Sequence, residues 1–155
     1  FENFGKLYSL LKQTLTPAEI RQLNDNLLRN FSLENIMRNL TILNPAPLMN
    51  FIEEALKKLQ QGMGRKFSTK VMSGLYLHIS SMVERLVTKK PLIPHAQLDC
   101  FQREHAEFIS LFTECFHILT QYYSIDIPLT EIAYCYDYIE NGFIVHPSKR
   151  EENGE

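Results

Sequence analysis

A histidine, an arginine and two small residues fall on one strip of a helix near the middle of this chain. Ser68 to Thr88 reads as helical. With Leu75 at the centre of the buried stripe and 100° per residue, Val71, Leu75, Ile79, Met82, Val83 and Leu86 share a narrow inward arc. Gly74, His78, Ser81 and Arg85 collect on one flank of it. His78 and Arg85 are two turns apart, roughly 10 Å along the axis. The small side chains at Gly74 and Ser81 predict a strip open to a partner's backbone. An imidazole at such an edge, with an arginine along the groove, can accept a phosphoryl group and have the new charge paired. The plainer alternative, favoured by spacing alone, is a boundary histidine beside a structural arginine–carboxylate pair, with Glu84 or a distant acid as partner.

Other candidates carry less. Glu114-Cys115-Phe116-His117 matches the Glu-x-x-His element of di-iron and di-manganese helical bundles, but such a site uses that element twice and takes two further carboxylates. No second copy exists here, so no metal site is expected. His95, behind Pro94, reads as a surface or capping residue, and His105 as a core imidazole. His146 stands alone before Pro147. Lys57-Lys58 with Arg65-Lys66-Lys70, and Lys89-Lys90, form short basic clusters that could guide an acidic partner, although solvated helix ends explain them equally well. There is no Gly-rich phosphate loop, GxSxG elbow or HExxH motif. No cofactor is expected.

The elements that must position these residues read as helices throughout. A short first helix carries Phe4, Leu7, Tyr8, Leu10 and Leu11. Thr16-Pro17-Ala18-Glu19 is a strong helix start, with a cap, a first-turn proline and a capping box. Ile20, Leu23, Leu27 and Leu28 follow on its apolar face, and Ser32 is placed to cap a further helix. Asn44-Pro45-Ala46-Pro47 punctuates the chain. Leu48 to Gln60 then reads as a helix ended by Gly62-Met63-Gly64. After the loop around Pro91 and Pro94, one long helix is expected from about His95 to Tyr123. A last one runs from Leu129 or Thr130 through Ile139 to the stop at Asn141-Gly142. Phe143-Ile144-Val145 is the only brief β-like run, and Lys149 to Glu155 should fray. The fold class is therefore all-α, and the aromatic faces of its long helices predict a homodimer.

Composition sets the outer limits. The chain has 155 residues, 45% apolar and 22% charged, which suits one globular domain. Sixteen basic against eighteen acidic side chains leave a formal charge of −2, contrary to the cationic surplus that phosphate-backbone binding needs. No direct nucleic-acid contact is expected, and no apolar run approaches a membrane span. Cys100, Cys115 and Cys135 are odd in number and form no CxxC pair, so free thiols in a cytoplasmic setting are expected.

The strip from Gly74 to Leu86, with Leu77-His78-Ile79-Ser80 and Met82-Val83-Glu84-Arg85-Leu86, resembles the first histidine motif of the PTS-regulation domain. Its wording is closest to the version in levanase-regulator-type sigma-54-dependent transcriptional activators. Glu131-Ile132-Ala133-Tyr134 resembles the opening of that family's last helix, and Leu43-Asn44-Pro45 its lead-in. The likeness covers about Asn44 to Phe143. It implies a compact five-helix bundle over 44–146, with an N-terminal helical extension or linker over 1–43 and a flexible tail over 147–155. It further implies a dimeric regulatory module rather than an enzyme, coupled to carbohydrate utilisation. His78 would be the phospho-acceptor, with phosphocarrier protein HPr or a sugar-specific EIIB component as donor. Arg85, Gly74 and Ser81 would support the phosphate or contact the donor. Some relatives carry a second histidine about seven residues past the position of Glu131. Asp137 and Tyr138 occupy that neighbourhood here, which predicts a single acceptor. The competing readings are a constitutive dimerisation or docking domain and, behind it, a di-metal carboxylate enzyme.

Overall fold

A computed structural model describes residues 2–40, 42–90 and 94–142. Every regular element among them is a helix: α1 (Glu2–Thr14), α2 (Pro17–Asn39), α3 (Pro45–Met63), α4 (Thr69–Val87), α5 (Leu98–Glu104), α6 (Ala106–Cys115), α7 (His117–Tyr123) and α8 (Leu129–Asn141). The expected strand-like run at Phe143–Val145, His146 and the tail lie outside the described residues. None of the described helices is long and apolar enough to cross a membrane.

Local chemistry accounts for most of the boundaries. At the start of α2 the Thr16 side chain accepts from the Glu19 amide, and the Thr16 amide donates to the Glu19 carboxylate at 2.8 Å, closing a capping box ahead of Pro17. The Asn44 side chain caps α3 and that of Ser68 caps α4. Helices α3 and α8 end on Gly64 and Gly142 at φ 67° and 73°, left-handed conformations that suit glycine.

Two expectations are corrected. Ser32 starts no helix; it lies buried within a continuous α2, and its hydroxyl has no hydrogen-bond partner among the described residues. Nothing around it breaks a helix, and burial of Ile36 one turn later anchors the segment. The single helix expected over His95–Tyr123 is instead three, α5, α6 and α7, hinged at His105 (φ −124°) and Phe116 (φ −93°). A straight helix of that length would span roughly 43 Å, far beyond the 19-residue α3 and α4. Breaking it keeps Phe101, Phe108, Phe112, Phe116 and Leu119 all on the core, with Phe112 and Phe116 stacked at 4.2 Å. Six helices therefore lie between Pro45 and Asn141, against the five expected there.

Helix α4 sits at the centre, packed by α2, α3 and α8. Its inward residues Val71, Leu75, Ile79, Met82 and Val83 are buried as the periodicity predicts. Helix α2 belongs to the same core through Ile36, and Arg29 ties it to α3 by reaching Glu53 at 2.9 Å and Asn50 at 2.7 Å.

Candidate functional site at the seam of α4 and α8

The flank of α4 that carries His78 and Arg85 faces the first turns of α8, which present Glu131. Arg85 Nη2 lies 2.8 Å from Glu131 Oε1, and His78 Nε2 lies 3.4 Å from Oε2 of the same carboxylate. Glu131 is thus the distant acid. Glu84 is not Arg85's carboxylate partner here; its carboxylate accepts the Ile42 amide at 2.8 Å.

Burial makes this trio unusual. The Glu131 side chain is 1% exposed, His78 11% and Arg85 25%. Burial alone would raise the Glu131 carboxyl above its ordinary value, yet its contacts with His78 and Arg85 and the arginine's charge outweigh that and hold it below. The carboxylate therefore stays ionised, helped by its place in the first turn of α8. Among the described residues three buried polar atoms here make no hydrogen bond: Arg85 Nε, and His78 Nε2 and Glu131 Oε2, which face each other at 3.4 Å. Native interiors leave few such atoms, and their gathering in one place marks a site held short of full satisfaction.

The strip is not the open surface its small residues suggested. Gly74 is covered from within the chain: a Cβ there would collide with the ring and hydroxyl of Tyr138 on α8. The small residue admits an aromatic side chain of the same chain rather than a partner's backbone. Ser81 is half-buried. His78 is correspondingly less exposed than an edge imidazole, because α8 lies across it.

Sequence reasoning missed a second contact on α8. His95 is no surface cap: its Nε2 lies 2.9 Å from Asp137 Oδ2, its Nδ1 accepts the Gln97 amide at 3.3 Å, and both side chains are largely buried. The ring meets Tyr134 edge-on at 5.2 Å. Its partner is 42 residues away, where no periodicity could find it. His105 lies against Tyr136 at 4.2 Å with its ring tilted by 35°, half-buried at the edge of the core rather than inside it.

The di-metal element meets no further ligands. Glu114 lies in α6 and His117 opens α7, on either side of Phe116, and both are exposed. Among the described residues no three His, Cys, Asp or Glu side chains group as metal ligands. Cys100, Cys115 and Cys135 are free thiols, and burial pushes the Cys135 thiol well up.

The model of the PRD domain family matches residues 53–142, which takes in most of α3 and all of α4 to α8. No curated protein and no solved structure matches the chain.

Proposed function

This chain belongs to the PRD domain family, a family of regulatory rather than enzymatic domains, and on that premise we propose that it is a phosphorylation-controlled module of a bacterial transcriptional regulator. The modification is placed on His78, in response to sugar availability, by HPr or a sugar-specific EIIB. The module works as a homodimer, and a levanase-regulator-type sigma-54 activator is the parent best matched by the wording of its α4 motif.

One observation carries this reading. An ionised, almost fully buried glutamate joins the α4 histidine and arginine to α8, with unsatisfied polar atoms on all three. Apolar residues would hold such a seam at least as well, since a buried ion pair gives little net stability. What the polar trio adds is sensitivity to charge. With neutral imidazole, Arg85 and Glu131 cancel. A phosphoryl group moved from a donor's phosphohistidine to a nitrogen of His78 forms one P–N bond as the donor's breaks, and brings about two negative charges to the seam. Those charges repel Glu131 and compete for Arg85, whose Nε still has no partner. The contact between α4 and α8 then loses its reason to stay closed.

The test is to incubate the chain with phosphoenolpyruvate, the general PTS enzymes and each candidate EIIB, and to map acid-labile phosphate by mass spectrometry. Phosphate on the wild type that disappears in His78→Ala is expected, with slower transfer or a shorter-lived phospho-form in Arg85→Ala. Labelling that persists unchanged in His78→Ala would overturn the assignment.

The low exposure of His78 favours a second reading, a constitutive dimerisation or docking module in which the trio is purely structural. No labelling by any PTS donor, together with ordinary folding of the His78→Ala chain, is the outcome that reading requires.

A further inference from the structure

A cavity of about 750 Å³ lies on the other side of α4, between α2, α3 and the turn joining α3 to α4. Its wall from α2 comes from outside the residues that the family matches. The groove is built rather than incidental, because the bonds from Arg29 to Glu53 and Asn50 clamp α2 along its edge.

Its floor contains Tyr76, a residue only 4% exposed. Tyr76 is part of the lining, and its phenol can donate a hydrogen bond there. Burial first, then the charge of Glu53, pushes its ionisation up to about 12, so it is held as a donor. Leu28 and Met72 supply apolar lining beside it.

The charges around the groove are unbalanced. Arg29 and Glu53 cancel one another, and Arg65 is engaged by Glu140. Lys57 and Lys66 line the same space with no ion-pair partner among the described residues, and the one remaining carboxylate on the lining is Asp25. Lys57 and the Arg65-Lys66 pair, members of one basic cluster in the sequence, thus meet at one opening.

We propose that this groove binds a small organic phosphate, its phosphate bridged by Lys57 and Lys66 and its polar body reaching the hydroxyl of Tyr76. A compact multivalent anion is the chemistry that two unpaired ammonium groups select. A cavity of this size takes a metabolite-sized body as well as the anion. Residues 17–39 then have a function of their own, as the third wall of a ligand site.

Calorimetric titration of the full chain tests this, with ribose 5-phosphate and glycerol 3-phosphate as probes and with ribose, glycerol and inorganic phosphate as controls. Saturable binding of at least one phosphate ester is expected, with none of the neutral alcohols and weaker binding of inorganic phosphate. The Lys57→Ala/Lys66→Ala chain should bind about tenfold or more weakly, the loss of one to two charge-assisted contacts. Tyr76→Phe should lower affinity for the ester but not for inorganic phosphate. Thermal unfolding of each free variant separates lost binding from lost folding. Absence of saturable binding by either ester, affinity unchanged in the lysine variant, or inorganic phosphate binding as tightly as the esters would each overturn the proposal. His78 takes no part in it, so these results are independent of the labelling experiment.

Discussion

A carboxylate sealed inside a helical core persists as an anion only while donors and cations hold it, and Glu131 has Arg85 and His78 for that purpose. Its lowered ionisation sets the sign of a pH dependence. A carboxyl whose folded value is depressed contributes stability that is complete above its ordinary value of 4.5 and is lost as pH falls through the lower folded value. Glu131→Gln removes that contribution and leaves Arg85 facing a neutral amide, at a cost of roughly 3 kcal/mol near neutral pH. Urea unfolding of both chains, from neutral pH down to about pH 3, should show the wild-type advantage at full size above the ordinary carboxyl range and shrinking below it. A gap that stays constant with pH would show that Glu131 is not held as a carboxylate. His78 and Arg85 were legible as neighbours because both lie on one helix, where 100° per residue fixes their relation. Glu131 was not, since it reaches Arg85 across 46 positions and three intervening helices, and periodicity says nothing about which faces of different helices meet.

Helix α4 shows the same division at the scale of an element. Its inward stripe was readable at Val71, Leu75, Ile79, Met82 and Val83, although Leu86 is only partly buried and Tyr76 and Ser80 are buried as well, while the meaning of its small flank was not. Glycine in a helix reads as a gap, and only the tertiary structure says what fills it: here the ring of Tyr138. Gly74→Ala therefore sets a gain of roughly 1 kcal/mol in helix propensity against a collision with that ring, an overpacking cost of about 1–3 kcal/mol. The substitution should destabilise the wild-type chain but be neutral or stabilising in a Tyr138→Ala background. A double-mutant cycle by chemical denaturation reads the difference, and simple additivity would mean that the two side chains do not press on each other. The breaks that divide the stretch from Leu98 to Tyr123 were equally hidden. No Pro or Gly marks His105 or Phe116, and the apolar spacing runs straight through them. The chain bends there to keep its phenylalanines on a core shorter than a continuous helix would be.

For the molecule as a whole, α8 is the element with the most to lose from modification. It is packed against α4, α5 and α6 and joined at its polar face by Glu131 to the α4 trio and by Asp137 to His95. On the proposed reading, a phosphoryl group on His78 would weaken the first of these joints and leave the second in place, so α8 should pivot or loosen from its N-terminal end rather than detach. The surface uncovered lies beneath Glu131–Cys135, while Tyr138, at the retained end of α8, keeps the slot above Gly74 filled. Phosphorylation is therefore expected to change self-association and to raise amide exchange at Glu131–Cys135 more than at Asp137–Asn141. Analytical ultracentrifugation and hydrogen exchange of the phosphorylated and unmodified chain would measure both. Glu131→Gln, which removes the charge that repels the phosphoryl group, should blunt the two responses together. Identical sedimentation and exchange in the two forms would mean that the added charge is absorbed locally and that α8 does not transmit it.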